Sequence, residues 1–175
     1  MKVIAFGASN SRQSINKQLA TSAAQMINGA EVEILDLNDF EMPLFSVDRE
    51  KDIGQHPLAK TFREKIASAD FLIISFAEHN GHYSIAYKNL FDWCSRIDRN
   101  VYQDKPSLIL ATSPGERGGK SVLELALNQL PNFGCKIKAS LSVPSFYDIF
   151  DPDTLSLKPG EVANQLHDAI QQLIG

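Results

Sequence analysis

Several things are scarce in this sequence, and each scarcity excludes a class of protein. There are two cysteines in 175 residues, Cys94 and Cys135, with no Cys-x-x-Cys pairing. That excludes a disulfide framework and reads as two reduced, structural thiols. Positive charge is short: 17 Lys and Arg against 21 Asp and Glu give a net charge of -4 and a pI near 5.5. A general nucleic-acid binder needs a basic stripe, so no nucleic-acid partner is expected. An acidic mean still leaves room for a small anion held by a few local donors. The opening apolar run, "MKVIAFGAS", is far too short for a membrane span or a signal peptide. We therefore expect a cytoplasmic protein with no membrane partner.

Catalytic signatures are missing too. No Gly-x-Ser-x-Gly elbow occurs, and no cysteine sits at a strand end as a nucleophile. The dinucleotide glycine fingerprint and the Gly-Lys-Ser/Thr ending of a P-loop are both absent. "FGASNS" at the end of the first apolar run lacks the paired acids with which a receiver domain binds magnesium. Glu78, His79 and His82 fall within five residues and raise a metal reading. All three would have to come from one short loop, with only His56 and His167 elsewhere, so no metal is expected.

What is present is a globular composition, 43% hydrophobic and 22% charged, without repeats or linkers. One domain over residues 1–175 is expected. Apolar runs at 2–8, 32–37, 70–77, 107–113 and, more weakly, 136–143 read as strands. The first, third and fourth are apolar on both faces, as in strands buried within a parallel sheet, while the second alternates and suits an edge. Helical spacing recurs at 15–27, 57–67, 85–97, 120–130 and in the last stretch from Val162 to Leu173. The β-α alternation predicts a three-layer α/β/α sandwich around a five-stranded parallel sheet. Residues 38–56 and 144–159 read as long irregular connections.

Ligands of such sheets sit beyond the carboxyl ends of the strands, where strand order reverses. Three segments there are rich in small and polar residues: "GASNSRQSIN" (7–16), "AEHNGHYS" (77–84) and "TSPGERGGKS" (112–121). The first offers the hydroxyls of Ser9, Ser11 and Ser14, the charge of Arg12, and the free N–H groups of the helix it opens, a phosphate-type donor set. In the third, Gly115, Gly118 and Gly119 permit close backbone approach to a flat group.

These residues resemble a known family, the NADPH-dependent FMN reductases, flavodoxin-like enzymes that include azoreductases, quinone reductases and chromate reductases. "SIN" (14–16) resembles the end of their serine-rich phosphate loop. "AEHN" (77–80) followed by "YKNLFDW" (87–93) is similar to their Pro-Glu-Tyr-Asn motif and Leu-Lys-Asn-x-x-Asp-Trp signature. "MPLFSVD" (42–48) and "SPGERGG" (113–119) are similar to two further family loops. The resemblance implies the flavodoxin-like strand order 2-1-3-4-5. It implies FMN held by Ser9, Ser11, Arg12, Ser14, Ile15 and Asn16 at the phosphate and ribityl start. Ala77, Glu78, His79, Asn80 and Gly81 would border one side of the isoalloxazine, with Ser113, Pro114, Gly115 and Gly118 on the other. This chain has Ala77 where the family has proline and His79 where it has tyrosine, so the imidazole either tunes the flavin or fills space.

The expected activity is that of an FMN-dependent NAD(P)H oxidoreductase. It would take hydride from NADPH or NADH and pass electrons to a small-molecule acceptor: a quinone, azo compound, metal oxyanion or flavin. The alternative is a flavodoxin-type electron carrier without direct NAD(P)H turnover. The family also implies a homodimer or homotetramer, and Trp93 reads as packing rather than flavin contact.

Overall fold

In the computed structural model, which describes residues 1–175, the five apolar runs form one parallel sheet. Strands β1 (Lys2–Ala8), β2 (Glu31–Leu35), β3 (Phe71–Phe76), β4 (Pro106–Thr112) and β5 (Lys136–Val143) lie in the order β2-β1-β3-β4-β5. This is the expected flavodoxin-like order. After its first residue each of β1, β3 and β4 is buried throughout, whereas β2 and β5 are only partly covered. Double-sided burial is why the central strands read as continuous apolar runs and the edge strands alternate.

Seven helices surround the sheet: α1 (Ile15–Gln25), α2 (Val47–Ile53), α3 (Pro57–Ser68), α4 (Ile85–Ile97), α5 (Lys120–Gln129), α6 (Phe146–Ile149) and α7 (Glu161–Ile174). On one face Leu19, Ala20 and Ala23 of α1 join Leu166 and Ile170 of α7 in a core against β1 and β4. On the other face Phe62 and Ile66 of α3, Leu90 and Trp93 of α4, and Val122 of α5 make the second core. The small residues of α1 let it lie close to the sheet. A Cβ on Gly7 would stand 2.4 Å from the backbone nitrogen of Lys17, so glycine is what allows that approach.

Two stretches that read as irregular carry structure. Asp36 ends β2 two residues before the sequence pattern does, because its carboxylate accepts from Asn38 N (2.9 Å) and starts a turn of 3-10 helix at Leu37–Phe40. Ser46 then caps α2, accepting from Arg49 N at 3.1 Å. α2 buries none of its residues, so it leaves no apolar stripe to read. The connection before it is held by the helix signature: Asn89 Nδ2 donates to Met42 O (3.0 Å), Phe45 N donates to Asn89 Oδ1 (2.8 Å), and Trp93 Nε1 donates to Pro43 O (2.8 Å). Near the C-terminus a short antiparallel hairpin, β6 (Phe150–Asp151) and β7 (Ser156–Leu157), follows α6.

Cys94 and Cys135 are free and buried, and burial pushes their thiols up to about 12 and about 11. Both stay protonated at neutral pH and are poor nucleophiles. Beside them lie three buried tyrosines. The hydroxyls of Tyr87 and Tyr102 pair with each other, while the buried Tyr83 hydroxyl has no partner. Burial alone raises the Tyr83 phenol well above its usual value. An unpaired buried hydroxyl costs about 1–3 kcal/mol. Tyr83→Phe is therefore expected to raise the melting temperature by about 2–4 °C, read by circular dichroism. A lowered melting temperature would show that the hydroxyl is satisfied in solution.

Candidate functional site

The three strand-end segments converge beside the point where β1 and β3 part in connectivity, the position where ligands bind in such sheets. In the β1–α1 loop, Ser9 N donates to Gly7 O (2.8 Å), Ser11 N to Ser9 Oγ (3.1 Å) and Ser14 N to Ser11 O (3.2 Å). These bonds wind the loop into a cup. Ser14 caps α1, its Oγ accepting from Lys17 N at 3.1 Å. The backbone N–H groups of Gln13, Ile15 and Asn16 find no acceptor within the chain. Those of Ile15 and Asn16 are orphan donors of the helix start, and Gln13 adds one from the residue before the cap; all three residues border the cup.

Asn16 does something the sequence did not disclose. It is 3% exposed, and its Oδ1 accepts from Ser75 Oγ (2.7 Å) and Thr112 N (3.1 Å) while its Nδ2 donates to Thr112 O (3.2 Å). One side chain thus joins the start of α1 to the ends of β3 and β4. A parallel tie comes from Ser84, the N-cap of α4, whose Oγ donates to Ala8 O at 2.7 Å.

The middle loop resolves the histidine cluster. His79 N donates to His82 O (2.9 Å) and His82 N to His79 O (3.0 Å), closing a two-residue turn through Asn80 (φ 53) and Gly81 (φ 77). Positive φ at both positions is the turn that Asn-Gly favours. Glu78 points elsewhere: its Oε2 accepts from Val122 N at 3.1 Å, in the first turn of α5. The N-cap position of α5 is Gly119 (φ 71), which has no side chain to cap the helix, so Glu78 supplies the cap from another loop. No group of three His, Cys, Asp or Glu side chains stands close enough to share a metal ion.

The third loop folds on itself, with Ser113 Oγ donating to Gly115 O (3.0 Å) and Gly118 N to Gly115 O (3.3 Å). A Cβ on Gly118 would meet Ser142 Oγ at 2.5 Å and Pro144 N at 2.9 Å, so this glycine serves packing against the end of β5. The segment after β5 closes over the same loop. Ser145 N donates to Gly115 O (3.0 Å) and Phe146 N to Ser113 O (3.1 Å), which sets the ring of Tyr147, 67% exposed, at the lip.

The resulting cleft, about 210 Å³, is bordered by Ser9, Ser11, Ser14, Ile15 and Asn16 of the first loop. Ala77, Glu78 and His79 come from the second, Ser113 and Pro114 from the third. Of the residues named from the sequence, Asn80, Gly81, Gly115 and Gly118 lie in the loops but not on the cleft wall, and Arg12 turns into a neighbouring groove. Gln13, Thr112 and Tyr147 also line the cleft, beyond the residues to which the sequence points. The first two lie inside the quoted segments. Tyr147 follows the carboxyl end of β5, where the strand-end rule applied to a fourth loop would have reached it.

The donor set tests what this cleft can hold. Three hydroxyls and three free N–H groups, two of them at a helix start, suit a phosphate monoester, and the one carboxylate nearby, Glu78, is bonded to α5. Ala77, Pro114 and Ile15 add an apolar border suited to the rest of a phosphorylated flavin. The site residues present fit FMN.

Comparisons with known proteins agree with this chemistry. The sequence profile described as NADPH-dependent FMN reductase matches residues 1–147. An NADPH:quinone oxidoreductase of Arabidopsis thaliana is 32% identical over 129 residues, 71% of this chain and 64% of its own length. A 2-hydroxy-1,4-benzoquinone reductase of a Burkholderia species is 33% identical over 120 residues, 67% of this chain and 63% of its own length. The chain thus spans a little under two thirds of these two relatives. In fold it is similar to FerB, an NAD(P)H:(acceptor) oxidoreductase of Paracoccus denitrificans, with a TM-score of 0.78 at 22% identity, covering 99% of this chain and 94% of that one. No helix is long and apolar enough to cross a membrane. With its sheet order, its serine-lined cup and the profile match over residues 1–147, the chain belongs to the NADPH-dependent FMN reductase family.

Proposed function

We propose that the protein is an FMN-dependent NAD(P)H oxidoreductase acting on small acceptors such as quinones, azo compounds, metal oxyanions or free flavins. The observation that carries this reading is the cup at the start of α1, with free N–H groups on Gln13, Ile15 and Asn16 beside three serine hydroxyls. FMN, when bound, supplies the hydride-accepting centre that no side chain here provides. The phosphate would be received by Ser9, Ser11, Ser14 and the N–H groups of Gln13, Ile15 and Asn16, each charge-assisted bond contributing about 1.5–3 kcal/mol. Ala77 and Pro114 would border the flavin on two sides, and the exposed turn carrying His79 would flank the nicotinamide and the acceptor in turn.

A second copy of the chain would complete the molecule. Leu44 and Ile85 are 61% and 68% exposed and border one groove of about 270 Å³ between the 37–44 segment and α4. Burial of such side chains favours a dimer over a lone chain.

The purified protein is expected to be yellow or to quench FMN fluorescence stoichiometrically. It should oxidise NADPH or NADH with a quinone by ping-pong kinetics and sediment as a dimer or larger. A protein that binds no FMN would sink the proposal. One that binds FMN but is not reduced by either nucleotide in stopped flow would be an electron carrier instead.

A further inference from the structure

A second groove, about 210 Å³, lies between α1 and the β6–β7 hairpin, and Ser14 borders both it and the cleft. Two of its donors are uncommitted: the Arg12 guanidinium makes no ion pair or hydrogen bond in the chain, and neither does the Gln18 amide, while the Thr21 hydroxyl donates to Lys17 O at 2.8 Å. Lys17 also lines it, paired through Nζ with Asp36. Phe150 forms an apolar wall, its ring stacked on Phe146 with centroids 4.5 Å apart and 20° between planes. Leu155, 53% exposed, extends that wall. No Asp or Glu is among the residues lining the groove.

A free guanidinium with the Ser14 hydroxyl, a free amide and a fixed apolar wall suits a phosphorylated ribose carrying a flat base. In nucleotide sites an acidic side chain reads the 2′-hydroxyl of NAD, whereas an arginine accommodates the 2′-phosphate of NADP. This groove has the arginine and lacks the acid. Nicotinamide and adenosine are opposite ends of one molecule, so a nucleotide whose nicotinamide lies at the cleft has its adenosine end available to an adjoining subsite. We propose that the groove receives the 2′-phosphorylated adenosine of NADPH, and that Arg12 selects NADPH over NADH. This assignment rests on the oxidoreductase reading above, and it gives Arg12 a task other than holding the FMN phosphate.

Arg12→Gln tests it, since an exposed and unpartnered side chain can be replaced without disturbing the fold. The ratio of kcat/KM for NADPH to that for NADH is expected to fall about tenfold, the loss of roughly one charge-assisted contact. In titration calorimetry on the FMN-loaded protein, 2′,5′-ADP should bind the wild type and weaken by a similar factor in the variant, while 5′-AMP changes less than about twofold. An unchanged nucleotide ratio, or equal losses with NADPH and NADH, overturns the assignment. A loss of FMN affinity with the ratio intact also overturns it and returns Arg12 to the flavin phosphate. If the wild type bound no FMN and oxidised neither nucleotide, the oxidoreductase reading would fall by itself. Arg12-dependent binding of 2′,5′-ADP to the apoprotein would then still support the groove, and its absence would end that too.

Discussion

Asn16→Ala is expected to melt about 10 °C below the wild type and to lose tight FMN binding. The side chain is 3% exposed and makes three bonds, to Ser75 Oγ, Thr112 N and Thr112 O. Truncation leaves buried polar groups on two strands without partners, each costing about 1–3 kcal/mol. The costs are not additive, so a total of about 3–5 kcal/mol is expected. FMN affinity falls further than stability requires, because the start of α1 is no longer fixed against β4. Asn16→Asp separates shape from hydrogen-bond polarity. It keeps the acceptor for Thr112 N but turns an oxygen toward Thr112 O, where Nδ2 now donates at 3.2 Å. It is expected to be as damaging as alanine. Thermal melts and FMN fluorescence titration read both effects, and an alanine variant melting within about 1 °C of wild type would refute the bridging role.

Gly7→Ala is expected to be comparably severe for a different reason. The added Cβ would lie 2.4 Å from Lys17 N, 2.8 Å from Lys17 Cα and 2.9 Å from Asn16 C. Every one of these is backbone of α1, so no flexible side chain can yield. The helix must move off the sheet, at the upper end of the ~1–3 kcal/mol typical of overpacking or beyond it. Moving α1 also displaces Ser14 and Asn16. The urea midpoint should fall sharply, with FMN affinity falling alongside. Gly115→Ala is the contrast: nothing lies within 4 Å of its Cβ position, and stability should change by less than about 0.5 kcal/mol. Equal midpoints for the two alanine variants would disprove the close-approach argument.

The central strands and the helices that pack on them were readable because burial leaves a periodic trace. β1, β3 and β4 are continuous apolar runs, and α4 begins and ends at the residues its spacing predicts. α2 buries nothing and so left no trace. The site was legible at the level of loops, while the roles within it were not. Asn16 reads as a flavin contact by resemblance, yet its partner Thr112 lies 96 residues away, beyond any local pattern. Glu78 reads as part of a histidine cluster, while its acceptor bond goes to a helix 44 residues on. Arg12 reads as a loop charge, and only the hairpin at 150–157, invisible to periodicity, gives it a groove to line.

The cross-bonding of the loops divides the cleft into a floor and a rim with different freedom to vary. Asn16, Ser84 and Glu78 spend their polar atoms joining one loop to another, so a change there is felt across the sheet. His79, Pro114 and Tyr147 border the same space without any side-chain hydrogen bond to the floor. A lineage could exchange those three repeatedly, trying new acceptors, while the folding of the domain went on undisturbed beneath them.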